Sequence, residues 1–437
     1  AQATSTRPGP QAHPVPQARQ GPRPAGRQPR AMELRRVVTA TAQSGAPGLG
    51  EGGLHPRVGN SLAGFGRARA SLKHTNTFGQ YGSYASDWFM DLFGFREVSY
   101  EDTQRRLRAR PLTSAPDAPW VLEGETGQSY QVGRFWVPSL GELEERALQL
   151  GGLEALRGRL RVRNVRGDVA LKHMDPENRH ATFQVASQFN CLEFLGPQVK
   201  PEMGVTGYVR DKTQGPACCV ACGPATVFRN YFAQVDGQQG QRAERQINNL
   251  RRLSAKLGNK PEGRYYRVQG GYTLADDRGL MHLNVVLDRV DPAAYQGLRE
   301  SLCVGLHEDV QVTSCEWGEC PVRDEEQTVT QVFGSACSVS YSGNDEVLWE
   351  PFARLVLSAS YEATLWAALL TALRHNGEAG SRRVYLTCLG GGVFGNDIRW
   401  IADAMEEALA KFRHVGLEVY IVTFSGPIPR QLARLER

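Results

Sequence analysis

The stretch Arg383-Val-Tyr-Leu-Thr-Cys-Leu-Gly-Gly-Gly-Val-Phe-Gly-Asn396 decides the fold. Its first six residues are apolar enough for a buried strand, Asp397–Phe412 behind them has helical spacing, and Leu417–Phe424 is a second apolar strand. Strand, glycine loop, helix and strand in that order make the repeating unit of a sheet with crossover helices. Glycines after a buried strand let backbone N–H groups approach an anion closely, and the next helix start favours negative charge. The loop therefore reads as a phosphate or pyrophosphate site, or else as a tight turn without a ligand. It is not the nucleotide-kinase phosphate loop, because no Gly-Lys-Ser/Thr follows. The spacing Gly390, Gly391, Gly392, Gly395 is also not GxGxxG.

Upstream, the same alternation extends back to about residue 158. Leu160–Val169, Ala181–Ser187 and Thr328–Val339 read as strands, and Gly271–Leu287 as strand segments. Ala217–Phe232, Gln241–Leu257 and Ala293–Leu302 read as helices. Trp349–Arg374 is the longest helix, stopping at Asn376-Gly377. Residues 67–157 form an α+β extension of unassigned role, with strand-like alternation over Gln131–Val137 and a helix within Ser139–Leu156. Residues 1–66, rich in Arg, Pro and Gly, cannot supply a core and read as a disordered tail. An organelle transit peptide is a second reading of that tail, beside an intracellular, cytoplasmic one.

Charge narrows the partners. The chain has 437 residues and a formal net charge of +5, but residues 1–32 carry five arginines and no acid. Without them 46 basic residues face 46 acidic ones, so the body lacks the surplus a nucleic-acid-binding surface carries. No run reaches the 18 or so apolar residues that span a membrane. Nine cysteines are too few and too odd in number for a disulfide scaffold. Cys218, Cys219 and Cys222 lie in an apolar run and read as reduced core thiols rather than zinc ligands. His307, Glu308 and Asp309 read as surface residues, because neighbours on a strand point to alternate faces. No metal and no cofactor is expected, and the chain reads as a monomer.

Several segments, in order, resemble the macrodomain family of ADP-ribose-binding proteins. They are Asn164-Val-Arg-Gly-Asp-Val169, Phe183-Gln-Val-Ala-Ser-Gln-Phe-Asn190, Gly204-Val-Thr-Gly207 with Asp211-Lys-Thr-Gln-Gly-Pro-Ala217, Gly392-Val-Phe-Gly395, and Thr423-Phe424-Ser425-Gly426. The resemblance covers residues 158–427 and implies a three-layer α/β/α sandwich with a mixed sheet. Within the family, Phe189-Asn-Cys-Leu-Glu193, Arg229-Asn-Tyr231 and Ser360-Tyr-Glu-Ala-Thr-Leu365 resemble a branch of hydrolases that includes bacterial effectors and acts on ADP-ribosylated arginine. The Gln-Glu-Glu triplet of poly(ADP-ribose) glycohydrolases is missing: Gln214 is followed by Gly215 and Pro216.

The resemblance implies roles residue by residue. Asp168, with Val169 beside it, would meet the adenine amino group, and Phe424 would stack on the ring. Gly391, Gly392, Val393, Phe394, Gly395 and Asn396 would cradle the diphosphate, with Phe394 against the distal ribose. Asn190 would bond that ribose, and Gly207 belongs to the first ligand loop. Cleaving an N-ribosyl bond passes through an oxocarbenium-like state that wants a carboxylate near the anomeric carbon. Asp211, beside Gln214, is the first choice, with Glu202 and Glu193 after it. The expectation is removal of mono-ADP-ribose from protein arginine; the alternative is a non-catalytic reader of ADP-ribose. The partners expected are ADP-ribose and an ADP-ribosylated protein.

Overall fold

In the computed structural model, which describes residues 87–115, 117–259 and 263–437, the quoted stretch opens with a strand over Arg383–Leu386. Expectations for the tail and for residues 67–86 lie outside the described residues. The strand belongs to a mixed sheet of nine: β1 (Arg108–Pro111), β2 (Trp120–Glu123), β3 (Ser129–Trp136), β4 (Arg161–Arg166), β5 (Thr182–Ala186), β6 (Gly305–Gln311), β7 (Thr328–Gly334), β8 (Arg383–Leu386) and β9 (Glu418–Thr423). Their order is β1-β2-β3-β6-β7-β5-β8-β9-β4. Pairings β1–β2, β2–β3, β3–β6 and β6–β7 are antiparallel. Pairings β7–β5, β5–β8, β8–β9 and β9–β4 are parallel.

Alternation along the strands splits the interior into two cores, as the two-residue repeat requires. Val384 and Leu386 of β8 and Val419 and Ile421 of β9 face one core, while Tyr385 and Val422 face the other. Helices α3 (Leu140–Leu150), α7 (Arg251–Lys256), α8 (Asp277–Asp288), α9 (Pro292–Glu300), α10 (Glu346–Arg374) and α11 (Ile398–Lys411) cover the first face. Helices α1 (Trp88–Phe93), α2 (Tyr100–Arg106), α4 (Val169–Met174), α5 (Gln214–Ala221) and α6 (Gly223–Tyr231) lie on the second side. The result is the three-layer α/β/α sandwich expected. Helix α10 is long and apolar enough to cross a membrane by length and composition, yet its apolar window is wholly buried inside the protein.

Four readings are corrected. The 217–232 helix is two helices hinged at Cys222, where Pro224 starts a new turn. Of Gln241–Leu257 only Arg251–Lys256 is helical, and Gly271–Leu287 is a short strand, Tyr272–Leu274, followed by α8. His307 and Glu308 are buried, because β6 is an interior strand covered on both faces. Within the extension of unassigned role, residues 108–136 supply β1–β3, which join the sheet through β3–β6, with Leu306 opposite Trp136.

Packing of the first layer includes a buried charge cluster. Glu362 of α10 accepts from Arg299 of α9 and from Lys411 of α11, each at 2.6 Å, and is itself only 3% exposed. One carboxylate thus ties three helices together. Removing Glu362 takes the carboxylate from Lys411 and from one face of the buried Arg299, whose other nitrogen stays paired with Glu407. Glu362→Ala is expected to lower the unfolding free energy by about 3–5 kcal/mol, read as a shift in denaturant midpoint.

Candidate functional site

The parallel strands β5, β7 and β8 end at one edge of the sheet, and a cavity of about 490 Å³ opens there. This is where ligands bind in open parallel sheets. Its floor is Ala186–Gln188 after β5, Ser335 and Ala336 after β7, and Thr387–Gly390 after β8.

One wall is the glycine loop. Gly390 and Gly395 hold φ of +70° and +76°, and a Cβ on Gly395 would lie 2.0 Å from the Ser340 hydroxyl. The loop is closed by Asn396 N–H to Gly390 O at 2.9 Å and Gly395 N–H to Gly392 O at 3.1 Å. Among the described residues, no carbonyl accepts from the amides of Gly392, Val393 or Phe394. Successive open amides of this kind make an anion-binding concavity. Phe394 backs the loop, packed on Tyr272 and Tyr341 at centroid distances of 5.3 and 5.6 Å, and all three line the cavity.

The opposite wall carries two acids. Glu193 is 4% exposed, its Oε1 has no partner among the described residues, and its backbone amide donates to the Tyr208 hydroxyl at 2.9 Å. Burial pushes its carboxyl well above the usual carboxylate range; the Arg229 guanidinium pulls it down and Asp211 pushes it up further. Arg229 is fully buried, bonded to Cys191 O and His307 Nδ1 and seated 3.8 Å from the Phe333 ring centroid. Asp211 is half-buried in the same cavity, with Oδ1 accepting from Thr213 N–H at 3.1 Å. A side pocket of about 110 Å³ continues past these acids, bounded by Glu97, Phe194, Leu195, Val199 and Met203.

The other residues named from sequence fall into three groups. Gly207 lines the side pocket, and Gly392, Val393 and Phe394 line the main cavity. Asp168 and Phe424 stand at the same sheet edge, after the neighbouring strands β4 and β9, beyond the cavity lining. Asp168 caps α4 through the Ala170 amide at 2.8 Å, Val169 is buried at the start of that helix, and Phe424 is 72% exposed. The rest are braces. Gln214 lines the cavity, but its amide bonds Ala186 N–H and Gln184 O, each at 2.8 Å. Asn190 is fully buried between Gln246 and the Leu192 amide. Asn396 donates to Cys337 O at 2.7 Å, and Gly391 N–H bonds Cys388 O. Glu202 accepts from the Ala243 amide at 3.0 Å, away from the cavity lining. Tyr272 and Tyr341 had no role in the sequence reading, and Arg229 entered it only within a family segment, since only the fold brings them together.

Glu97, from the segment between α1 and α2, fixes the loop that carries Asp211. Its carboxylate accepts from the amides of Val205 at 2.9 Å and Thr206 at 2.7 Å, and from Tyr231 Oη at 2.7 Å. A Cβ on Gly204 would lie 2.4 Å from it, so only glycine fits there. Charge-assisted bonds of this kind contribute about 1.5–3 kcal/mol each. Glu97→Ala is expected to speed hydrogen exchange at the Val205 and Thr206 amides by about 10–100-fold. Exchange in α10 should not change.

No family model matches the chain, and no curated protein matches it. Among solved structures the chain is similar to the poly(ADP-ribose) glycohydrolase of Deinococcus radiodurans in complex with ADP-ribose, at 12% identity and a TM-score of 0.38, over 69% of this chain and 92% of that one. It is also similar to the poly(ADP-ribose) glycohydrolase of Thermomonospora curvata, at 15% identity and a TM-score of 0.34, over 71% and 92% of the two chains.

Proposed function

We propose that the protein binds ADP-ribose in this cavity and hydrolyses mono-ADP-ribose from arginine side chains of modified proteins. One observation carries the reading: open glycine-loop amides on one wall face two carboxyl groups of different environment on the other. The amides suit a diphosphate, and the aromatic backing suits a ribose face. Burial raises the Glu193 carboxyl and so suits it to the acid role, which leaves the base role to the more open Asp211.

In the proposed reaction, water attacks the anomeric carbon while the Asp211 carboxylate takes its proton. The C–N bond breaks with its electron pair going to the guanidine nitrogen, and Glu193 supplies a proton on that side. Exchange with solvent resets both acids, and the products are ADP-ribose and unmodified arginine. The side pocket supports the arginine linkage, because its apolar walls suit an aliphatic stem while Asp211, among its lining, suits a cation.

Three measurements test this. Gly392 lines the cavity, and a Cβ there meets nothing within 4 Å, so Gly392→Val should fold normally. Calorimetry should then show ADP-ribose binding weakened by about tenfold or more, the loss of about 1.4 kcal/mol or more. Unchanged affinity would remove the loop from the site.

Asp211→Ala should lower turnover of an ADP-ribosyl-arginine peptide by about 10²–10⁴-fold while ADP-ribose binding persists. Unchanged turnover would sink the role assigned to Asp211, and no turnover by the unaltered protein would leave an ADP-ribose reader.

The third concerns Glu193. A carboxyl raised in the folded state favours the protonated fold, so its contribution is present at low pH and is lost as pH rises from the ordinary carboxylate range toward the raised value. Glu193→Gln should therefore gain stability relative to the unaltered protein as pH rises, by about 1–3 kcal/mol. It should at the same time lose activity. A variant less stable at every pH would mark Glu193 as structural.

A further inference from the structure

A second group of side chains converges at the opposite edge of the sheet. His180 precedes β5, Asp309 sits in a register break of β6, and His375 caps the carboxyl end of α10. One ligand-capable atom from each lies within 4.8 Å of the others. His375 Nε2 and Asp309 Oδ1 are 2.8 Å apart, and the His180 and His375 rings stack at a centroid distance of 3.8 Å. The group borders a cavity of about 340 Å³.

Two observations distinguish it from a helix end meeting a stray acid. His180 and Asp309 both hold left-handed backbone, at φ of +65° and +55°. Residues with a side chain adopt that conformation at a cost, and such positions cluster at functional sites. The outer bonds are also those that orient ligands. Thr328 Oγ1 meets His180 Nδ1 at 3.1 Å, which leaves Nε2 for a ligand, and Arg374 Nε holds Asp309 Oδ2 at 2.9 Å, which leaves Oδ1.

We propose that His180, Asp309 and His375 bind a divalent transition-metal ion of the zinc and cobalt class. Two imidazoles and one carboxylate favour such ions over magnesium or calcium. Donors bound at about 2.0–2.1 Å on one ion stand roughly 3–3.4 Å apart, close to the His375–Asp309 separation, and rotation of the His180 imidazole closes the set. Binding through His375 Nε2 and Asp309 Oδ1 takes the place of the hydrogen bond between them. Arg179 and Arg374 oppose a cation here, but Arg179 is paired with Glu326 and Arg374 with Glu308. Glu378 Oε2, 3.8 Å from His180 Nε2, stands near as a further acid. The ion would clip the end of α10 to β5 and β6, on the far side of the sheet from the cleft.

The test uses the full chain and cobalt(II) as a spectroscopic probe. One equivalent should bind with visible d–d absorption and without a thiolate charge-transfer band, since the cysteines form no such group among the described residues. The His180→Ala, His375→Ala double variant should bind about 10–100-fold more weakly or not at all. Asp309→Asn, which keeps the shape of the site, should do the same if the double variant does not fold. Zinc should raise the melting temperature of the unaltered protein more than that of either variant. Equal cobalt binding by the unaltered and variant chains, a thiolate band, or no binding by the unaltered chain overturns the proposal. ADP-ribose binding should be the same in all of them.

Discussion

The cleft depends on how closely the start of α5 lies against the end of β5. At Gly215 a Cβ would fall 2.2 Å from Ala186 O and 2.5 Å from Glu193 Oε2, so no residue with a side chain could stand there without moving strand or carboxyl. Gln214 locks the approach by bonding the backbone on both sides of Val185. Pro216 sits in the first turn of the helix, where the amide it lacks would have no intrahelical partner. The helix that follows closes the pocket over Glu193, which is why that acid is dry while Asp211, three residues before Gln214, stays half-exposed. The difference between the two acids is thus set by backbone proximity and not by any ion pair at the site.

Below them, Arg229 plays the complementary part. A fully buried guanidinium without a carboxylate partner within bonding distance is expensive to hold in an apolar interior. Here carbonyl, hydroxyl, imidazole and sulfur partners, with the face of Phe333, share its hydrogen bonds and field. Burial and this cation hold the His307 imidazole neutral, well below its usual range, so it accepts from the guanidinium. The cation lowers the cost of ionising Glu193 without forming a salt bridge that would fix the carboxylate in place. A site that must gain and lose a proton benefits from a counter-charge at that remove.

Much of this was legible in the sequence, and the reason is range. The unit from Arg383 to Phe424 and the glycine loop are local patterns, visible as periodicity and glycine spacing. Asn190, Asn396, Gln214 and Glu202 were assigned ligand or catalytic roles through the family resemblance. In the structure they brace those loops through Gln246, Cys337, Ala186 and Ala243, partners that no local spacing reveals. Strand β6 escaped notice because Gly305–Gln311 carries His, Glu, Asp and Gln, a polar run that looks exposed. It is interior because β3, more than 160 residues earlier in the chain, supplies its other neighbour. Glu193 was visible as an acid but not as a buried one, since its burial rests on Gly215 and Tyr208.

The net charge illustrates the same division. The surplus of +5 lies in residues 1–32, and the remaining chain is formally neutral. A neutral body can still hold an anion, because the donors in the glycine loop are backbone amides and carry no formal charge. The acids on the facing wall would repel a diphosphate if both were ionised and near it. They line the wall opposite the loop and border the side pocket as well, and the buried one favours its neutral form. The cleft is therefore polarised along its length, with open amides at the β8 end and carboxyls toward α5. A ligand that is anionic at one end and carries its scissile bond to a cation at the other matches that polarity, whereas a simple nucleotide would leave the acidic end without a partner.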